Sequence, residues 1–250
     1  MQAFGKFATE EEFEYLTEHY LYFNEPEETI SIDDLKVLLK KKNKTVAGTI
    51  FLYNPVIAPK GYTTDIPLAE QGYEFDGEYT QLQMEKLMDI FQSRIKGYEG
   101  KLIEVKYLFN YNRSGTQSGP AIETFNEDLG KLASRQSTHF SRELNYHDVK
   151  NIRISGKFVF FAWGHNFDQL HRQQNRHPNI MNYATGIFEQ VRKIGKPAAF
   201  IYNGVIGAEG SEKEIRFFHP IATGKLKTKI TEAIAKAFST NPPQPTAYEE

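Results

Sequence analysis

Four short runs of β-branched and aromatic residues constrain this chain more than any other feature. They are TVAGTIFLY over 45–53, KLIEVKYLF over 101–109, KFVFFAW over 157–163 and AAFIY over 198–202. Each is nearly continuous in apolar residues, as strands buried on both faces are, and each stops at polar or turn-forming residues. Between them lie stretches with helical periodicity. Leu82, Met84, Leu87, Met88, Phe91 and Ile95 fall on or near one face of a helix over 81–95, and further helices are predicted over 121–134, 179–194 and 225–238. Strands alternating with helices predict an α/β fold: a three-layer α/β/α sandwich with a central, mainly parallel four-stranded sheet.

The flanking segments read differently. Thr9, with Glu12 in capping-box spacing and Phe13, Leu16, Tyr20 and Leu21 as an apolar stripe, predicts a first helix. A second starts near Ser31, turns Ile32, Leu35, Leu38 and Leu39 inward, and ends at Lys40-Lys41-Lys42, where cations suit a helix C-terminus. The chain then divides into an acidic helical N-terminal extension over 1–43, an α/β domain over 44–238 and a Pro-rich disordered tail over 239–250. A long Gly-, Pro- and Thr-rich loop spans 58–79, and a short strand is predicted over 214–218.

Composition removes several chemistries. The 250 residues include no cysteine, which excludes disulfides, thiolate zinc sites, cysteine-ligated clusters and a cysteine nucleophile. His165, His171 and His177 are not spaced to put two ligands on one helical face, so neither a metal nor another cofactor is expected. No run approaches the roughly 18 apolar residues of a membrane span. The acidic N-terminus does not resemble a signal peptide, so the expectation is a cytoplasmic protein with no membrane partner. Charge is uneven: acidic residues dominate 1–35 and basic ones 191–230. A basic C-terminal third suits a polyanion and the acidic start suits a protein partner, although two solvated faces account for the same pattern.

In a parallel sheet covered on both faces, ligands bind beyond the carboxyl ends of the strands. Four predicted strand ends carry polar residues: Asn54-Pro55, Asn110, Trp163-Gly164-His165 and His219-Pro220. An Asn at such a position can orient a water or read a ligand edge through both ends of its amide, or it can simply cap the next turn. Arg113 and Ser114, after Asn110, and Lys225, after His219-Pro220, suit contacts to phosphate.

Taken in order, Phe51-Leu52-Tyr53-Asn54-Pro55, Tyr107-Leu108-Phe109-Asn110, Phe160-Phe161-Ala162-Trp163-Gly164 and His219-Pro220 resemble the motifs of the uracil-DNA glycosylase superfamily. The resemblance is nearest to uncharacterised bacterial and phage members of that fold and runs from Thr45 to Ala237. It implies a DNA glycosylase-like protein that flips a uracil or modified base into a strand-end pocket and hydrolyses its N-glycosidic bond. Asn54 and His219 would be the catalytic pair, with Asn54 positioning water and His219 stabilising the departing base. Asn110 would read the base edge, with Phe109, Tyr62 and Trp163 around it, and Arg113, Ser114 and Lys225 would hold the DNA backbone. The chain departs from the best-known members in having Asn54 where they carry an acidic residue, and Ile221 where they carry Ser. A non-catalytic module on the same fold, binding DNA, a nucleotide or a protein, is the alternative.

Overall fold

The computed structural model describes residues 2–10, 13–23, 29–41, 45–55, 74–75, 102–111, 119–134, 145–163, 175–196, 198–203, 232, 235–236 and 246–248. Their strands are β1 (Gln2–Glu10), β2 (Phe13–Tyr22), β3 (Val46–Leu52), β4 (Glu74–Phe75), β5 (Leu102–Tyr107), β6 (Phe158–Phe161), β7 (Ala198–Asn203) and β8 (Thr246–Tyr248). Their helices are α1 (Ile32–Leu39), α2 (Gly119–Ala133) and α3 (Pro178–Lys193). All eight strands join one sheet in the order β4-β1-β2-β5-β3-β6-β7-β8.

The fold is α/β, but the sheet is larger and more mixed than the sequence suggests. Strands β5, β3, β6, β7 and β8 run parallel, whereas β4, β1 and β2 attach antiparallel to that block through β5. The expected mainly parallel four-stranded sheet is therefore corrected to an eight-stranded mixed one. The helix predicted from Thr9 is corrected as well. Thr9 pairs with Glu14 within a β1–β2 hairpin, and Tyr20, Leu21 and Tyr22 pair with Glu104, Ile103 and Leu102 of β5. The reason is that both faces of β2 are covered. Tyr15, Leu16, His19, Tyr20, Leu21 and Tyr22 are all buried, more than one helical stripe accommodates, and β5 supplies the ladder that an isolated hairpin lacks. The tail expected to be disordered contributes β8, whose Thr246, Ala247 and Tyr248 pair with Ile201, Tyr202 and Asn203.

Helix α1 forms where it is expected. Ser31 caps it: its hydroxyl accepts from Asp34 N at 3.2 Å, and Asp34 Oδ2 accepts from Ser31 N at 3.1 Å. Its Leu35 packs into a cluster with Phe4, Tyr20, Tyr22, Val46 and Leu102. Val46 shares that face because a bulge between Val46 and Gly48 shifts the register of β3 on β5. Helices α2 and α3 cover a second cluster built on Phe51, Tyr53, Phe109, Phe161 and Trp163. The side chain of Asn126 in α2 accepts from the first free N–H groups of α3, Asn179 N at 2.9 Å and Ile180 N at 3.4 Å. At the other end α3 stops at Gly195, whose φ of 77° is left-handed.

Register partners on neighbouring strands share a face. Thr49, Phe51, Glu104 and Lys106 therefore look one way with Val159 and Phe161, and Ile50, Val105, Tyr107 and Phe160 look the other. Both sets are buried save for Lys106, which is half-buried, and all seven residues of β3 are buried. The described helices pack on the first of these faces. Between its two apolar clusters the sheet carries a polar belt centred on Glu104.

Candidate functional site

The parallel strands, numbered by their order along the chain, stand second-first-third-fourth-fifth. The direction of this order reverses between β3 and β6. The crevice such a reversal leaves lies beyond the carboxyl ends of those two strands, at Asn54 and after Trp163. Backbone pairing continues past the strands proper: Leu108 N donates to Leu52 O at 2.8 Å, Phe109 N to Tyr53 O at 3.0 Å and Ala162 N to Phe51 O at 2.8 Å. That extension sets Asn54 and Asn110 at neighbouring strand ends, both half-buried.

The Asn54 amide donates to Pro55 O at 3.2 Å, the turn-capping role open to it from sequence. Asn110 is held by its backbone, with N donating to Asn145 O at 3.1 Å and O accepting from Leu16 N at 2.9 Å. Asn145 also takes Tyr111 N on its side-chain oxygen at 2.9 Å. Phe109 and Trp163, expected beside a flipped base, are placed differently. They are 0% and 1% exposed, and their rings pack into the aromatic core. Phe109 stacks on Phe125 with centroids 4.6 Å apart, and Trp163 lies edge-on to Phe161 at 5.2 Å. A strand end covered by α2 and α3 buries its aromatics, so neither ring offers a face to a base. Tyr62, Arg113, Ser114, His165, His171, His219 and Lys225 lie outside the described residues. His177 is buried immediately before α3, and among the described residues no cluster of potential metal ligands occurs.

Sequence reasoning did not find a second polar centre. A cavity of about 650 Å³ opens over the polar belt, walled by β2, β5 and the segment from Ile152 to Ser155. At its base Glu104 accepts hydrogen bonds from Thr49 Oγ1 at 2.8 Å, Ser155 N at 3.0 Å and Ser155 Oγ at 3.1 Å. Lys106 Nζ stands 3.5 Å from the same carboxylate. A buried carboxylate needs this degree of satisfaction to stay folded in. The signal was present in β5, where Glu104 and Lys106 sit two apart in an apolar strand and so share one face. Gly156 lets the segment come this close: a Cβ there would stand 2.2 Å from Gly48 C and 2.4 Å from Thr49 N.

Two imidazoles flank β5. His147 Nε2 lies 2.6 Å from Tyr107 O, a carbonyl that only accepts, so Nε2 carries the proton. Burial, reinforced by the Lys106 charge, pulls the His147 pKa down to about 4, against the opposing pull of the Tyr107 carbonyl and Glu104. His19 Nδ1 pairs with Tyr107 Oη at 2.7 Å, and burial lowers its pKa to about 3. Both rings are neutral at pH 7. No helix among the described residues is long and apolar enough to cross a membrane. Comparison with known proteins gives no match to a family model, to a curated protein or to a solved structure.

Proposed function

We propose that the chain recognises a nucleobase at the carboxyl edge of its parallel strands and acts as a DNA glycosylase-like hydrolase on the bond that carries it. The observation that supports this reading is the placement of Asn54 and Asn110 side by side at the ends of β3 and β5, with Asn54 at the β3/β6 reversal. In this reading the fold is a three-layer α/β/α sandwich, a reading supported by the burial of β3 on both faces. Asn110 reads the base edge, and Asn54 orients the water that adds to the sugar carbon. The C1′–N bond breaks first, its electron pair leaving with the base as an anion that His219 stabilises. Water oxygen then bonds to the oxocarbenium carbon and gives its proton to solvent. Arg113, Ser114 and Lys225 hold the DNA backbone.

A second reading, a binding module without chemistry, draws on Asn54 itself. An amide cannot take up a proton, and its nitrogen is engaged with Pro55 O. Incubating the full chain with uracil-containing DNA and measuring free base by chromatography separates the two. The hydrolase reading expects release that falls at least about tenfold in Asn54→Ala and in His219→Ala. Salt-sensitive DNA binding without release supports the module, and neither binding nor release overturns both.

A further inference from the structure

The cavity over the polar belt opens beside the carboxyl edge, sharing Asn110 but not Asn54 with it, and its charges suit a ligand of their own. Its volume, about 650 Å³, is that of a small-molecule pocket. Of its two carboxylates, Glu104 is committed: Thr49, both donors of Ser155 and Lys106 surround it. That network fixes Lys106 in turn, leaving its ammonium group against the cavity wall with only 20% of the side chain exposed. Two further charges line the cavity on different walls. Arg153 extends from the 152–155 segment and Glu18 from β2, both exposed and neither making a salt bridge among the described residues.

We infer that this cavity binds a small metabolite carrying both an anionic group and hydrogen-bond donors. Arg153 presents a planar fork and Lys106 a compact point charge, a combination that suits phosphate or carboxylate oxygens. Glu18, on β2, accepts from hydroxyls or an ammonium of the same ligand. His147 lines the same cavity and, with its proton on Nε2, has Nδ1 left as an acceptor. An anion alone would meet Glu18 unfavourably, and a cation alone would meet Arg153, so a ligand with both groups satisfies the pocket best. Two sources supply that chemistry, a sugar phosphate and an amino acid.

Isothermal titration calorimetry on the full chain tests the inference with ribose 5-phosphate, 4-aminobutyrate, ribose and inorganic phosphate as probes. Ribose 5-phosphate or 4-aminobutyrate is expected to saturate one site, with ribose and inorganic phosphate at least about tenfold weaker. Arg153→Gln, an exposed change that leaves the core intact, should weaken the bound probe by about tenfold or more. Glu18→Gln identifies the source, because it removes the partner of an ammonium but leaves an acceptor for hydroxyls. Asn54→Ala should leave this binding unchanged, so failure of the edge reading and failure of this one are distinguishable. No saturable binding of either two-ended probe at millimolar concentration overturns the inference. Binding that Arg153→Gln and Lys106→Gln both leave intact overturns it as well.

Discussion

Mild acid tests the two imidazoles, buried His19 and half-buried His147, that tie β2 and the 145–147 segment to β5. In the unfolded chain His19 and His147 titrate near 6.5, whereas in the fold they are held at about 3 and about 4. The folded values are the lower ones, so the unfolded chain takes up protons first as the pH falls. Their contribution to stability is therefore complete above about pH 6.5 and is lost as the pH drops towards the folded values. At pH 5 each folded ring is still neutral, while each unfolded ring is almost fully protonated. The difference is about 2 kcal/mol per histidine, or about 4 kcal/mol together, between pH 7 and pH 5. That is a large part of the roughly 5–15 kcal/mol by which a domain is stable.

The only tryptophan, Trp163, is 1% exposed and gives the assay its signal. Urea titrations followed by its fluorescence, run at half-unit steps from pH 7.5 to pH 5, yield the unfolding free energy at each pH. The expected slope below pH 6 approaches two protons from these sites. His19→Gln and His147→Gln should each remove about half of the loss, and the double variant should remove most of it. A stability that stays flat from pH 7 to pH 5, or a double variant that loses as much as the parent, would refute the reasoning.

Two further predictions use the same titration at neutral pH. Gly156→Ala places a Cβ 2.2 Å from backbone of Gly48 and should cost about 3 kcal/mol or more, whereas Gly195→Ala, left-handed but in open space, should cost about 1 kcal/mol. Equal losses at the two positions would contradict the close approach. Glu104→Ala strands Thr49, Ser155 and Lys106 without their acceptor and should cost about 3–5 kcal/mol, and Glu104→Gln, which keeps one acceptor oxygen, should cost clearly less.

The parts of the fold legible in the sequence are those where one physical signal dominates. Runs such as TIFLY and KFVFFAW admit little besides a doubly covered strand, and Ser31 with Asp34 marks a helix start that side-chain geometry completes. The N-terminal hairpin was not legible because its signals conflict. Leu16, Tyr20 and Leu21 fit a helical stripe, but Tyr15, His19 and Tyr22 are buried as well, and the presence of β5 alongside makes that possible. Asn54 and Asn110 stand at the ends of neighbouring strands. Phe109 and Trp163 are buried because residues at the end of a covered strand are still core. His147 and Ser155 were hidden for a different reason: their partners are β5 atoms 40 and 51 residues away, a separation no local pattern encodes.

These observations change what the N-terminal segment is for. As an acidic helical extension it would have been an accessory. As a hairpin it supplies one wall of the cavity over Glu104 and Lys106, and Leu16 N holds the carbonyl of Asn110 at the carboxyl edge. Asn110 also lines that cavity, so the edge and the cavity share a residue whose backbone is fixed from two sides. The amide and carbonyl of Asn110 are bonded to Asn145 and to β2, so its backbone is held by both. The His19–Tyr107 contact, buried and neutral, adds a side-chain tie between the hairpin and β5 to the backbone pairing of β2.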